Sequence, residues 1–503
     1  MKHKYIYWMC FIAIIASSSC KKIDDLQQNP AAIYEPNPQL ILTGILLDMR
    51  ESPWGGDQIN NQFMVINESY YGNQAYTWGA LSFSGFDQLR NIQQLEIEAQ
   101  KKADEGKPYI ALAQFFKAYF AITMTERFGD IPLLQAMKGR SDGIFQPEYD
   151  SQKDVYKQCL QWLEDANTAL TPLVAANATV NGDFYYSGKL NKWQRLINAY
   201  RLRVLISLSK RADDTPELNI KQQFADITNN LTKYPLLTSN ADNFQLVYNS
   251  TTRDNNYPLW PADGVVIKSD LRNNLGDTYV KIMTGTQDPR LFVVANPTDS
   301  AKATGDVNYA KKFTSFRGGK TGELQTTLKD QAVAGKLSTI NFDYWMSSPS
   351  GIPFIMFGAY ETEFSIAEAI NRGWINGDAA DHFKKGITSS MKFYGIGDDA
   401  ISDYFKVPGN EYLGNTVAGL EQILKQKYAA FFQNSGRQAF YSNRRTGVPK
   451  FDIGPANGNN NQIPVRWAYP TTEYSTNESN LKASLKRQYN GSDTRNDIMW
   501  LIK

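Results

Sequence analysis

The stretch FIMFGAYETEFSIAEAINRGWINGDAADHFKKGITSSMKFY, Phe354 to Tyr394, decides how this chain is read. Apolar residues recur at helical spacing from Phe354 to Trp374. The pattern breaks at Gly373 and Gly377, then resumes after Asp378 with Phe383, Ile387 and Met391 as a stripe. This predicts a helix hairpin, and Ala367, Ala369, Ala379 and Ala380 beside the turn are small enough to let its two arms pack closely. One hairpin cannot bury its own apolar face, so the pattern implies neighbours of the same kind, as in a tetratricopeptide-like helical repeat.

The chain supplies them. KPYIALAQFFKAYFAITMT, Lys107 to Thr125, is apolar nearly all round and predicts a buried helix ended by Gly129 and Pro132. Asp150 and Ser151 are capping residues for a helix that places Val155, Cys159, Trp162, Leu163, Ala166 and Leu170 on one face. KLNKWQRLINAYRLRVLISLSK, Lys189 to Lys210, is amphipathic, with Trp193, Leu196, Ile197, Tyr200, Val204 and Leu208 together. A further helix over Leu420–Asn434 turns Leu424, Tyr428 and Phe431 inward. Between about 235 and 350 the periodicity fades into a polar, Gly- and Asn-rich excursion, too long for one ordinary loop.

The N-terminus carries an address. Lys2, His3 and Lys4 precede the apolar run Ile6 to Ala16 and the small residues Ser17, Ser18 and Ser19, which is the layout of a secretion leader too short to span a bilayer. Cys20 follows directly, as in a bacterial lipobox, although Ser17 stands where an aliphatic residue is usual. The expectation is a leader over 1–19, a lipid-anchored tether over 20–36 beginning at Cys20, and a single folded body over 37–503. Lys21-Lys22-Ile23-Asp24-Asp25 resembles a signal for export to the cell surface.

Composition narrows the partners. The 53 lysines and arginines against 51 aspartates and glutamates become equal once Lys2 and Lys4 leave with the leader. A nucleic-acid binder carries a basic excess, so that class is unsupported. Of the 3 cysteines only Cys159 would remain unmodified, on a core face, which excludes an intrachain disulfide.

Several landmarks then fall in series: RFGDIPL (Arg127–Leu133), YDSQKDVY (Tyr149–Tyr156), the Lys189–Lys210 helix, ETEFSIAEAINRGW (Glu361–Trp374), RRTGVP (Arg444–Pro449) and IPVRWAYP (Ile463–Pro470). Together they resemble the SusD/RagB-like outer-membrane lipoproteins, in particular the starch-binding, outer-membrane-associating group. The resemblance implies a mainly α, SusD-like α-solenoid with long irregular excursions that form the ligand face. It also implies a non-catalytic role as the lid of a TonB-dependent, SusC-like outer-membrane transporter that receives oligosaccharides or peptides.

Flat aromatic faces bordered by amides suit such ligands. NESYYGNQAYTWGALSFSGF (Asn67–Phe86) offers Tyr70, Tyr71, Asn73, Tyr76 and Trp78, and relatives of this family draw ligand contacts partly from this stretch. RDNNYPLW (Arg253–Trp260) offers Arg253, Asn256 and Tyr257, and NFDYWMSS (Asn341–Ser348) offers Tyr344 and Trp345. The two later segments are expected to face the first. The competing reading is that these rings pin loops to the scaffold or meet the transporter.

Enzymatic alternatives find little in the sequence. His3 and His382 are the only histidines, and HExxH, GxSxG, CxxC and phosphate-binding glycine loops are absent. No cofactor and no metal is expected. Asp398, Asp399 and Asp403 lack the spacing of a calcium loop and read as a solvated turn. Glu361 and Glu368 share a helix face, but ion pairing with Arg444 or Arg445 explains them. A surface glycoside hydrolase, needing only two carboxylates, and a purely structural repeat scaffold remain the rival classes.

Overall fold

The computed structural model describes residues 36–261, 263–265 and 273–503, so the leader, Cys20 and nearly all of the tether lie outside the described residues. Five long helices come first: α1 (Pro38–Asp48), α2 (Gly85–Gln100), α3 (Lys107–Phe128), α4 (Gln152–Ala175) and α5 (Leu190–Ser207). Each packs on the next. Pro108 sits in the first turn of α3, and Gly129 ends it with φ 96°, where a Cβ would lie 2.2 Å from Gln488 Oε1. Ser151 caps α4 by accepting from the Asp154 amide at 3.2 Å. Cys159 is fully buried on α4, and burial pushes its thiol above the ordinary range.

After α6 (Ile220–Asn229) the solenoid is interrupted. The excursion is not featureless: it holds α7 (Asp277–Gly285), α8 (Gln325–Val333) and short 3-10 turns. Strand β1 (Met64–Ile66) pairs antiparallel with β3 (Asn273–Leu275), and β2 (Phe244–Leu246) with β4 (Phe354–Phe357). Asp288 and Arg290 fasten the excursion to the helices. Their 2.6 Å ion pair is wholly buried, and the guanidinium also donates to Ser390 Oγ at 2.7 Å and Gln426 Oε1 at 2.6 Å.

Helical order then resumes with α9 (Ala359–Asn371), α10 (Ala379–Phe393), α11 (Asp398–Lys406), α12 (Val417–Ala430), α13 (Gln438–Thr446) and α14 (Glu478–Tyr489). Helix α9 packs on α5, across the whole interruption, and on α10 and α12. The expected hairpin is therefore α9–α10, capped where Asp378 accepts from the Ala380 and Asp381 amides. Two details differ from expectation. Phe354–Phe357 forms a strand, because four consecutive buried apolar residues between Pro353 and Gly358 suit a sheet as well as a helix. Ala380 is exposed, and the close helix approach occurs instead at Gly386, where a Cβ would meet the Phe364 ring at 2.8 Å. Leu424, Tyr428 and Phe431 are buried as expected. No helix among the described residues is long and apolar enough to cross a membrane.

The buried acids of α9 are ion-paired. Arg445 on α13 meets Glu368 at 2.5 Å, while Glu361 is held by Arg203 of α5, whose Nε donates at 2.6 Å. Arg444, expected as an alternative partner, instead donates to the carbonyls of Glu126 and Val465. Burial raises the Glu368 pKa, but Arg445 and Arg372 outweigh it and hold the carboxyl at about 2. Replacing Glu368 by Gln strands Arg445 in the core, so urea unfolding should show a loss of roughly 3–5 kcal/mol. Removing Glu478 from its exposed pair with Lys482 should cost less than about 1 kcal/mol.

Glu126 behaves oppositely. Burial outweighs Arg444 and Arg203 and lifts its pKa from 4.5 to about 7. The folded state therefore keeps a proton that the unfolded chain sheds, and stability from this group is full below pH 4.5 and falls as pH rises to 7. The fall is up to roughly 3 kcal/mol. Calorimetric melts of Glu126→Gln should show a flatter profile over that window.

Candidate ligand-binding face

The turn ESPWGGD, Glu51 to Asp57, joins α1 to a short helix and sets Trp54 at φ 69°. A bulky side chain in the left-handed region costs about 1–3 kcal/mol and persists only where the surroundings enforce it. Here the Trp54 amide donates to Gln433 Oε1 and its indole N–H to Tyr257 Oη, both at 2.7 Å. The ring meets Trp345 edge-on at 5.0 Å. Tyr344 meets the same Trp345 edge-on, also at 5.0 Å. Trp345 is itself buried, with its indole N–H on the Val294 carbonyl at 2.9 Å. Two half-buried rings, Trp54 and Tyr344, are thus braced on one core tryptophan.

Polar groups lie near these rings or their supports in the chain. Arg253 is exposed on the 3-10 turn Arg253–Asn255, and Asp343 is exposed beside Tyr344. Asn256 is half-buried; with its amide turned to suit its neighbours, it donates to the carbonyls of Asn249 at 3.0 Å and Thr252 at 3.2 Å, which closes the loop. Rings with amides and charges around them form a surface that can stack on an apolar ligand face and hydrogen-bond its edges.

Three rings expected to contact ligand belong to the core instead. Tyr257 is 1 % exposed, Trp345 2 % and Tyr76 4 %, so none presents a face. Tyr257 supports Trp54 and packs edge-on against Tyr248, while Tyr76 Oη accepts from Gln62 Nε2 at 2.7 Å. Trp78 is half-buried and stacked on Trp467 at 4.1 Å, with Phe440 at 5.1 Å and the Arg437 guanidinium over Trp467. One face of its ring is taken up by that stacking. Tyr70 stands 88 % exposed, and Asn73 is exposed with its Oδ1 on the Ala75 amide. The Tyr71 side chain lies outside the described residues.

The first segment runs along the excursion. Asn67 to Gly72 lies against the excursion, through Asn67 Nδ2 to Asn274 Oδ1 at 2.8 Å and Gln325 Nε2 to the Gly72 carbonyl at 2.8 Å. A buried aromatic seam runs beneath, in which Trp345 touches Phe432 and Phe432 touches Phe63. Trp54 was the residue that helical and alternating patterns could not find. Its one signal was an aromatic in a Pro-Trp-Gly-Gly turn, where no packing period calls for it.

The acids and the histidine that the sequence singled out for rival chemistry are engaged elsewhere. Glu361 and Glu368 are committed to arginines, His382 Nδ1 lies 2.6 Å from Glu363, and Asp398 and Asp403 pair with Lys392 and Lys406. Asp398 and Asp399 open helix α11 and Asp403 lies within it, rather than in a turn.

A family model described as starch-binding associating with outer membrane, the SusD-like 2 family, matches residues 30–470. A SusD homologue of Bacteroides fragilis NCTC 9343 superposes with a TM-score of 0.83 at 30 % identity, covering 93 % of this chain and 100 % of its own. A second from the same strain gives 0.79 at 32 % identity, covering 93 % and 99 %. A chitin-binding SusD homologue of Flavobacterium johnsoniae shares the fold, with a TM-score of 0.68 at 21 % identity over 93 % and 95 %. No curated protein sequence matches. With these matches and the solenoid in place, the chain belongs to the SusD-like family of starch-binding, outer-membrane-associating proteins.

Proposed function

We propose that this chain captures a nutrient oligomer, a glycan before a peptide, on the face built by Trp54 and Tyr344, and passes it intact to a TonB-dependent transporter for which it is the lid. The observation that carries the reading is the pair of half-buried rings braced on buried Trp345, with exposed Asp343 next to Tyr344 in the chain and exposed Arg253 four residues before Tyr257. Family membership and the chitin-binding homologue support a carbohydrate ligand. Tyr70 and Asn73 form a second exposed patch that suits either ligand or transporter. We also read residues 37–503 as one body hung from a lipid on Cys20 and facing the cell surface; fatty-acid labelling should disappear in Cys20→Ala, and labelling that persists there would remove the anchor.

Calorimetric titration against oligosaccharides and short peptides, with product analysis of each mixture, tests the capture reading. Trp54→Gly, which keeps the left-handed backbone, and Tyr344→Ala should each weaken binding tenfold or more, about 1.4 kcal/mol, with only a small change in unfolding midpoint. Trp345→Ala should instead destabilise the fold by about 3–5 kcal/mol. Cleaved ligand would establish the hydrolase reading, and unchanged affinity in both surface variants would move the site elsewhere.

A further inference from the structure

Two small cavities of about 30 and 40 Å³ lie between the solenoid helices and share the walls Glu126, Arg203, Gln438 and Tyr441; the second also reaches Glu51 and Asp57, at the two ends of the turn that carries Trp54. Each has room for a water or a small ion. Their linings bring together α3, α5, α9, α12 and α13 with an unusual density of charge. Six cations, Arg127, Arg203, Lys427, Arg437, Arg444 and Arg445, face four lining acids, Glu51, Asp57, Glu126 and Glu361, and a fifth, Glu368, behind Arg445. Even with every acid ionised, one positive charge is uncompensated.

The hydrogen bonds point the same way. Arg203 is spent on Glu361, Arg445 on Glu368 and Arg437 Nε on Asp57. Among protein atoms no acceptor reaches Arg127 Nε, Arg437 Nη1 or Arg444 Nε, and the orphaned atoms in these walls are all N–H donors. An unmet buried donor costs about 1–3 kcal/mol, more when charged. Lys427, 4 % exposed, donates to Ser365 Oγ at 3.2 Å and keeps further protons for another acceptor.

We propose that the first of these cavities holds a halide-sized monovalent anion, chloride in ordinary media, between Lys427 and the unpartnered Nε edge of Arg444. Water alone would meet the donors but leave the surplus charge. The anion is the missing acceptor and counter-charge at once. It also bears on Lys427, whose pKa burial lowers while Glu361 and Glu368 oppose; a bound anion keeps that ammonium protonated. Affinity should rise as pH falls through 7, where Glu126 takes up its proton.

The test uses the whole chain, melted in sodium chloride, bromide or gluconate at one fixed ionic strength, together with diffraction from crystals grown in bromide. The expected result is a midpoint several degrees higher in either halide than in gluconate, and an anomalous bromide peak in the first cavity. Lys427→Met should lose most of that halide increment, whereas Lys482→Met, on the surface, should keep it. Equal midpoints in all three salts and no peak would mean that water fills the cavities and would overturn the proposal. A halide increment that survives in Lys427→Met with bromide located elsewhere would overturn it as well. The bromide peak in the unaltered chain decides the matter even if Lys427→Met fails to fold.

Discussion

Charge buried between α5, α9 and α13 is the constraint on which the rest of this structure depends. The pair Arg203–Glu361 joins helices separated in sequence by the whole excursion, and Arg445–Glu368 ties the returning helix α9 to α13. An ion pair deep in a core is seldom a net gain over well-packed apolar residues, because desolvation offsets the attraction, but a wrong partner there is very costly. The pairs therefore act as a register device. They make α9 dock on α5 in one position, which returns the solenoid to its course after the interruption. Asp288 and Arg290 do the same for the excursion, fastening it to α10 and α12 through Ser390 and Gln426.

The ligand face inherits that rigidity. Trp345 is carried by the excursion, Trp54 by the turn after α1, and Phe432 by the chain just beyond α12, yet all three rings touch. Because these supports are fixed independently, Trp54 is held in a backbone conformation it would not choose. A preorganised ring loses little freedom when a ligand stacks on it, which is how a small aromatic platform can bind without a deep pocket.

Much of this was legible beforehand, and where reading failed the reason is physical. The helices α3, α4, α5, α9, α10 and α12 are strongly periodic and fall about where the pattern put them, because burying one stripe is a local demand, whereas α1 and α2 were not read from the sequence. FIMF was misread because four buried apolar residues carry no period. The aromatics were harder. Tyr76, Tyr257 and Trp345 sit in aperiodic loops and look identical in sequence to exposed rings, since burial in an excursion depends on where the excursion folds back.

The sequence by itself determined the helical repeat, the family landmarks, the unpaired Cys159 and the residue types from which a ligand face could be made. Those follow from local spacing and composition. Only the tertiary structure decided which rings face outward, that Arg203 rather than Arg444 answers Glu361, and that Trp54 and Tyr344 lean on the same tryptophan. Each depends on side chains brought together from segments hundreds of residues apart, and no local pattern carries that contact.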